Sequence, residues 1–272
     1  MKKNVSVKLI IYSFIFLMLL LYLFPLFYVF NTSLKTEPEF IRSSVSLAKS
    51  FHIQNFATAW ERAHFQYNIF NSLFYMVTCT ALSIMLAVLL AFPIARKFLK
   101  YGNLILGLFI AGMFLPDGII PQFQLLLRLH LYNTRIGYML GMIGGGGVTL
   151  LFFVAYIKGI PKDFDEASSI DGCGYFRYIF SILIPLMKPA IASMAILTAI
   201  GIWNDVIRAV IFLSDSKLFP ITRGLYVFTG EHNNQWTLQS AALIIVAAPI
   251  IIIYVFLQRY IIDGVLSGAI KA

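Results

Sequence analysis

Charged residues are scarce in this chain of 272 residues, and cysteine is nearly absent. Asp, Glu, Lys and Arg make up 12% of the sequence, which is about half of their usual ~25% share in a soluble domain. This shortage disfavours a large soluble domain. The two cysteines, Cys79 and Cys173, are far apart, so no disulfide framework is implied.

Motifs for nucleotide hydrolysis and metal binding are missing as well. No G-x-x-x-x-G-K-[ST] occurs, and no Lys follows the four glycines at 144–147. We therefore expect the chain to have no ATP site. No group of His, Cys and Asp has the spacing of a metal site. The chain is thus predicted to bind no cofactor or metal and not to act as an enzyme by itself.

What the sequence has instead is long apolar runs. Hydrophobic residues account for 60% of the chain, and about 20 consecutive apolar residues suffice for a helix to cross a bilayer. Six runs qualify, at residues 9–31, 69–95, 103–127, 137–157, 187–213 and 239–261. The first run is too long for the apolar region of a signal peptide, and no small-residue cleavage site follows it. We predict an all-α polytopic membrane protein with six transmembrane helices, the first of them retained.

The third and fourth runs contain residues that break helices. Pro116, Asp117 and Pro121 interrupt the third run, and the glycines at 144–147 interrupt the fourth. Irregular backbone is tolerated inside a bilayer only against protein or a wet cavity, so both runs are expected to face the bundle interior. For the glycines two interpretations stay open: close helix packing, or a break that lines a solute pathway.

The positions of the basic residues predict the orientation. The net charge is +9, but Lys and Arg are scattered at the ends of the apolar runs, which is typical of a membrane protein rather than a nucleic-acid surface. With a cytoplasmic N-terminus, the inner segments hold twelve Lys and Arg and the outer segments nine. The bias is clearest in the short segments 1–8 and 96–102. Both termini and the connection 159–189 are then cytoplasmic.

This connection combines acidic residues with helix start and stop signals. Within residues 163–171 there are four acidic side chains: Asp163, Asp165, Glu166 and Asp171. Pro161 suits the first turn of a helix, where acidic side chains complement the helix dipole. Gly172 can take the left-handed conformation that ends it. We predict a short helix, a turn and a second helix along the membrane surface. The segment either docks into a groove of another protein or packs only against its own bundle.

Three stretches resemble one known family. The string Glu166-Ala167-Ser168-x-x-Asp171-Gly172-Cys173, followed by Ile182-x-x-Pro185, resembles the EAA motif of ABC-importer permeases. Ser168 and Cys173 stand where that motif usually has alanine. Trp203-Asn204-Asp205 resembles the W-N-[DE] of the family's fifth span. The tail from Gln258 to Ala272 is similar to the ending of its carbohydrate, maltose-transporter-like class.

The resemblance covers most of the chain and implies a multisubunit importer in the cytoplasmic membrane of a bacterium or archaeon. The implied partners are a second homologous permease, a dimer of ATP-binding subunits that hold ATP and Mg²⁺, and an extracytoplasmic binding protein that delivers a carbohydrate. Residues 1–68 would form an N-terminal span and an extracytoplasmic segment, and residues 69–272 the permease core, with a coupling loop at 159–189 and a tail at 262–272. Contacts with the ATPase are expected from Glu166, Ala167, Ser168, Asp171, Gly172 and Cys173, and from the tail residues Gly264, Gly268 and Lys271.

Polar residues inside the spans are the candidates for a solute pathway. They are Asp117, Trp203, Asn204 and Asp205, because ionisable residues within a membrane are by default functional candidates. Trp203 is a candidate face for stacking on a sugar ring. Alternatively, Asp117 and Asp205 lie near the outer interface, or they pair with Arg208 or Arg128.

Three other functions compete with sugar import. A permease of the same class could carry glycerol phosphate, but an anionic solute favours Arg or Lys in the path, and Arg208 is the only near candidate. An ion-driven secondary transporter is expected to contain inverted repeats, and the sequence shows no internal repeat. A membrane enzyme would need a convergent acid, base and nucleophile, and none is visible.

Overall fold

A computed structural model describes residues 2–144, 147–230 and 234–269, with side chains over 7–144, 147–230, 234–256 and 258. This part of the chain is helical, with no strand among the residues described. The helices are α1 (Lys2–Ser33), α2 (Glu37–Arg42), α3 (Gln54–Arg62), α4 (Phe65–Ala95), α5 (Gly102–Gly112), α6 (Ile119–Arg128), α7 (Arg135–Met142), α8 (Gly147–Lys158), α9 (Asp163–Ile170), α10 (Tyr175–Leu186), α11 (Lys188–Trp203), α12 (Ile207–Phe212) and α13 (Trp236–Ala269). Short 3₁₀ segments, Ser216–Leu218 and Ile221–Phe228, precede α13.

Three of these helices are long and apolar enough to cross a membrane by themselves: Val7–Ser33 in α1, Phe65–Ala95 in α4 and Trp236–Phe256 in α13. Two bent pairs bring the number to five if each pair counts as one span. In one pair α7 and α8 are bent by 53°, and in the other α10 and α11 are bent by 83°. The chain therefore has several helices that could cross a membrane, at the positions of the first, second, fourth, fifth and sixth predicted runs.

The predicted breaks are confirmed. The third run is divided into α5 and α6 by the connector 113–118, which contains Pro116 and Asp117. The fourth run is divided between Met142 and Gly147, at the glycines. The fifth apolar run, at 187–213, is also divided, at a place where no break was predicted. Helix α11 ends at Trp203, and residues 204–206 separate it from α12.

The chain divides into two compact units. The first comprises residues 1–66 and 224–249, so it includes a stretch that the sequence assigned to the permease core. Within this unit the end of α1 is held by a buried polar network. The fully buried Lys35 donates from Nζ to the carbonyls of Ser43 and Ser44 at 3.1 and 2.8 Å. Asn55 Nδ2 donates to the carbonyls of Ser33 and Lys35, both at 2.8 Å.

The second unit comprises residues 67–223 and 250–272, and it contains two apolar clusters. One packs the second half of α4 against α8, α10 and α11, with Val88, Phe153, Ile179 and Met187 among its buried members. The other joins Tyr75 of α4 and Tyr138 of α7 to Phe212 of α12. The rings of Tyr75 and Tyr138 meet edge to face, with their centroids 4.8 Å apart. These two clusters position the residues predicted to be functional.

Candidate functional site

The acidic stretch forms a short helix and a tight turn, which we call the knob and define as residues 163–174. Helix α9 begins at Asp163 and carries Asp163, Asp165 and Glu166 in its first turn. Gly172 has φ +68°, which confirms the predicted left-handed position after the helix. The amide of Cys173 then donates to the carbonyl of Ser168 at 2.9 Å. This hydrogen bond holds the turn after α9 against the last turn of that helix.

The knob exposes one set of the motif residues and buries another. Glu166, Ala167 and Asp171 are exposed, and Ile170 exposes 86% of its surface. Ser168 is buried, and its hydroxyl donates to the carbonyl of Asp165 at 2.8 Å. Cys173 packs against the first apolar cluster. Thus an acidic and apolar surface faces outward, while the small residues Ser168 and Cys173 face the helix bundle.

A buried arginine from another helix anchors the knob. Arg96 follows the last residue of α4, exposes 3% of its side chain, and places Nε 2.6 Å from Oδ2 of Asp165. Its Nη2 donates to the carbonyl of Ile160 at 3.1 Å. An ion pair of this kind holds both partners in place, because separating them would leave a buried charge unpaired. Sequence reasoning used Arg96 only to orient the chain and missed this contact, since no spacing connects residues 96 and 165.

Tyr178 provides a second anchor for Asp165. This residue lies on α10, which the 83° bend sets apart from the membrane-crossing helix α11. Its hydroxyl donates to Oδ1 of Asp165. Burial, followed by the hydrogen bond to Asp165, raises the pKa of Tyr178 to about 12, so the phenol keeps its proton and remains a donor. The knob is therefore fixed to both α4 and α10.

A groove of about 990 Å³ lies in the second unit, away from the knob residues. Its lining comes from α4, α5, α6, α7, α8, α11, α12 and segments between them, and is mainly apolar, with Leu86, Phe109 and Leu197 as examples. Gly144, with φ +97°, contributes to the lining. Gly147 is not part of the lining. A Cβ at Gly147 would lie 2.9 Å from Cγ of Met113, which agrees with the close-packing interpretation at that residue, whereas the pathway interpretation stays a prediction.

Three charged residues meet at the wall of the groove. Arg208 Nη2 donates to both carboxylate oxygens of Asp117, at 3.0 and 2.7 Å. Its Nη1 lies 2.6 Å from Oδ2 of Asp205. Asp205 also accepts from the backbone amide of Arg208 at 2.9 Å and so supports the first turn of α12. The predicted pairing of both aspartates with Arg208 is confirmed, and Arg208 rather than Arg128 is their partner.

The other predicted pathway residues lie elsewhere. Trp203 exposes 2% of its surface and does not line the groove, so its ring has no free face for a sugar. Asn204 ends α11 and is exposed outside the groove lining. Gly264 and Gly268 belong to the last part of α13, whose side-chain surroundings are not described, and Lys271 lies outside the described residues. Within the described ranges no His, Cys, Asp and Glu group could hold a metal ion.

These features define a class of protein: a helical membrane protein with a short acidic knob and a groove among its apolar helices. The sequence matches the family described as "Binding-protein-dependent transport system inner membrane component" over residues 83–266, which is more than half of the chain. The chain belongs to this family.

Curated relatives match over nearly the full chain. The Melibiose/raffinose/stachyose import permease protein MelC of Bacillus subtilis is 31% identical over 252 residues, which cover 91% of each chain. The arabinooligosaccharides transport system permease protein AraQ of the same organism is 31% identical over 274 residues, covering 98% of this chain and 97% of its own. The sulfoquinovosyl glycerol transport system permease protein SmoH of Agrobacterium fabrum is 30% identical, covering 92% of this chain and 89% of its own.

A solved structure has the same fold. It is a chain of a bacterial ABC transporter involved in the import of the acidic polysaccharide alginate, with a TM-score of 0.84. The match covers 96% of this chain and 98% of that chain at 21% identity. At this identity the likeness concerns the fold.

Proposed function

We propose that this chain is one of two permease subunits of an ATP-driven importer, and that the imported solute is a sugar or oligosaccharide. Membership of the binding-protein-dependent family supports import with a delivering binding protein. Melibiose, raffinose and arabinooligosaccharides occur in the names of its curated relatives and support the solute class. The ATPase is a separate subunit in this proposal, as is the second permease.

The observation that carries the coupling role is the knob, because its exposed acidic surface sits on a buried anchor. Glu166 and Asp171 are free to meet basic residues of an ATPase, while Asp165 is fixed to Arg96 and Tyr178. A rigid knob in a socket can transmit domain closure to the helices as body movements. The small exposed residue Ala167 lets a partner surface come close. The six-span topology with both termini in the cytoplasm, which places the knob on the ATPase side, belongs to this proposal.

The solute pathway in this proposal follows the groove. Asp117 and Asp205 are assigned to its wall, and Trp203 and Asn204 are left out because they do not line it. Carboxylates accept hydrogen bonds from hydroxyl groups, which suits a polyhydroxylated solute. Glycerol phosphate, the alternative solute, is less favoured, because Arg208 is already engaged by two carboxylates. An ion-driven carrier is not retained, since the family is defined by dependence on a binding protein.

The test is affinity purification of the tagged chain from its own membrane, followed by mass spectrometry of the subunits that stay bound. We expect a second permease and an ATPase with a P-loop. Glu166→Arg is expected to lose the ATPase and keep the second permease. Glu61→Arg, the same change at an exposed glutamate of α3, serves as the matched control and is expected to keep both.

Two results would contradict the proposal. If the unsubstituted chain purifies alone, even after cross-linking, the importer assembly is refuted. If Glu166→Arg retains the ATPase as well as Glu61→Arg does, the importer stands but the knob is not its docking surface.

A further inference from the structure

The groove carries a surplus of one negative charge. Among the described residues that line it, the charged side chains are Asp117, Asp205 and Arg208, which sum to two negative and one positive charge. The three are not equivalent. Asp205 exposes 11% of its side chain and is bound to Arg208 through both backbone and guanidinium, so these two residues form an internally neutral pair.

Asp117 supplies the surplus charge and faces the open space. It exposes 52% of its side chain, and it lies in the connector between α5 and α6 rather than inside a helix. Its two oxygens accept from one guanidinium nitrogen, which leaves further lone pairs free on each. The remaining lining is apolar or uncharged, so little in the described wall offsets this charge.

We infer that Asp117 is a specificity-determining residue that gives the groove a net negative field and so disfavours anionic solutes relative to uncharged ones. The inference rests on the proposed function, because it places the solute in this groove. A low-dielectric wall strengthens the field of an unneutralised charge and concentrates ions of the opposite sign in the cleft. An uncharged saccharide does not experience this barrier, and its hydroxyls can donate to the free lone pairs of Asp117.

Coulomb's law gives the size of the change that this charge causes in the local concentration of a charged reagent. At about 10 Å from a unit charge, and with an effective dielectric constant between about 20 and 80, the local concentration of a singly charged reagent changes by about two- to sixteenfold. The effect has opposite sign for a cation and an anion. Without salt screening, the ratio of their concentrations therefore changes by about fourfold or more, so the labelling is done at low ionic strength.

The experiment uses charged thiol reagents as probes, so it needs no knowledge of the natural solute. Gly201 lines the groove on α11, and a Cβ there would meet nothing within 4 Å, so Gly201→Cys introduces a thiol without a clash. The intact importer complex is labelled with cationic and anionic methanethiosulfonates of similar size. Peptide mass spectrometry then gives the two rates at residue 201. If the complex with Gly201→Cys does not assemble, Thr198→Cys is used instead, because Thr198 lines the groove on the same helix.

Two controls isolate the charge of Asp117. Glu61→Gln changes the total charge by the same amount at an exposed site that does not line the groove. Reaction with free 2-mercaptoethanol corrects for the intrinsic reactivities of the two reagents.

At low ionic strength we expect the cation-to-anion rate ratio at residue 201 to fall by about fourfold or more in Asp117→Asn, with no change in Glu61→Gln. Raising the salt concentration should reduce the ratio in the unsubstituted groove, because the Debye length shrinks from about 10 Å at 0.1 M to 3 Å at 1 M. An unchanged ratio in Asp117→Asn, with both reagents reacting, overturns the inference and leaves the pathway intact. If neither reagent reaches residue 201 in the folded complex, the groove is not the pathway, and that part of the proposed function fails.

Discussion

Removing the charge of Asp165 is expected to loosen the knob without unfolding the helices around it. The change Asp165→Asn keeps the side-chain shape and an oxygen that can accept from Tyr178, but it removes the ionic partner of Arg96. Breaking a fully buried ion pair costs about 3–5 kcal/mol, because one charge is left buried and unpaired. Asp165 exposes 18% of its side chain, so water offsets part of this loss. We expect about 2–3 kcal/mol here.

Hydrogen–deuterium exchange of the amides at residues 167–171 measures this cost locally. Exchange through local opening follows the free energy of that opening, and 1.4 kcal/mol corresponds to a factor of ten. The expected result is exchange that is faster by about 30- to 140-fold in Asp165→Asn, with little change in α8. Arg96→Met should give a similar acceleration. In the double variant the two effects should not add, because both single changes break the same pair.

Asp163→Asn is the matched control, since it makes the same chemical change in the same helix at an exposed side chain. It is expected to alter exchange by less than about threefold, in keeping with the small effect of most surface substitutions. The reasoning is refuted if Asp165→Asn leaves the exchange of the knob at the level of this control. It is also refuted if amide exchange becomes faster in α8 and in the knob to the same extent. The Arg96–Asp165 ion pair would then stabilise the whole helix bundle rather than the knob.

Two glycines give further predictions. Gly172→Ala places a side chain at φ +68°, and we expect it to destabilise the knob by about 1–2 kcal/mol and reduce the ATPase recovered with the purified complex. Gly174→Ala, where a Cβ meets nothing within 4 Å, should leave that recovery unchanged, and equal recovery from both variants would contradict the strain argument. Gly137→Ala would set a Cβ 2.0 Å from the carbonyl oxygen of Leu131, so we expect a cost of about 3 kcal/mol or more and a clear fall in the thermal denaturation temperature. Gly107→Ala, in open space on α5, should leave the denaturation temperature within about 1–2 °C of the unsubstituted protein. If Gly137→Ala changes it as little, the first turn of α7 can shift to make room for the added Cβ, and the steric argument is contradicted.

Much of the architecture could be predicted from the sequence, because apolar length and helix-breaking residues are local properties. The long helices lie where the apolar runs lie, and the breaks coincide with Pro116 and the glycines. The break after Trp203 was missed, since residues 204–206 contain neither Pro nor Gly and the apolar run continues beyond them. There Asp205 stabilises a new helix start by accepting from the amide of Arg208, a contact that apolar patterning does not reveal.

The sequence by itself determined the class of this protein and the place of its knob. Both follow from neighbouring residues: long apolar helices satisfy their own backbone hydrogen bonds in lipid, and a helix start, an acidic turn and Gly172 lie within about a dozen positions. Only the tertiary structure decided which charges meet. Arg96 with Asp165, and Arg208 with Asp117, are separated by 69 and 91 residues. Such pairs form because the packing of distant segments brings their charged side chains together, and no sequence spacing encodes that packing.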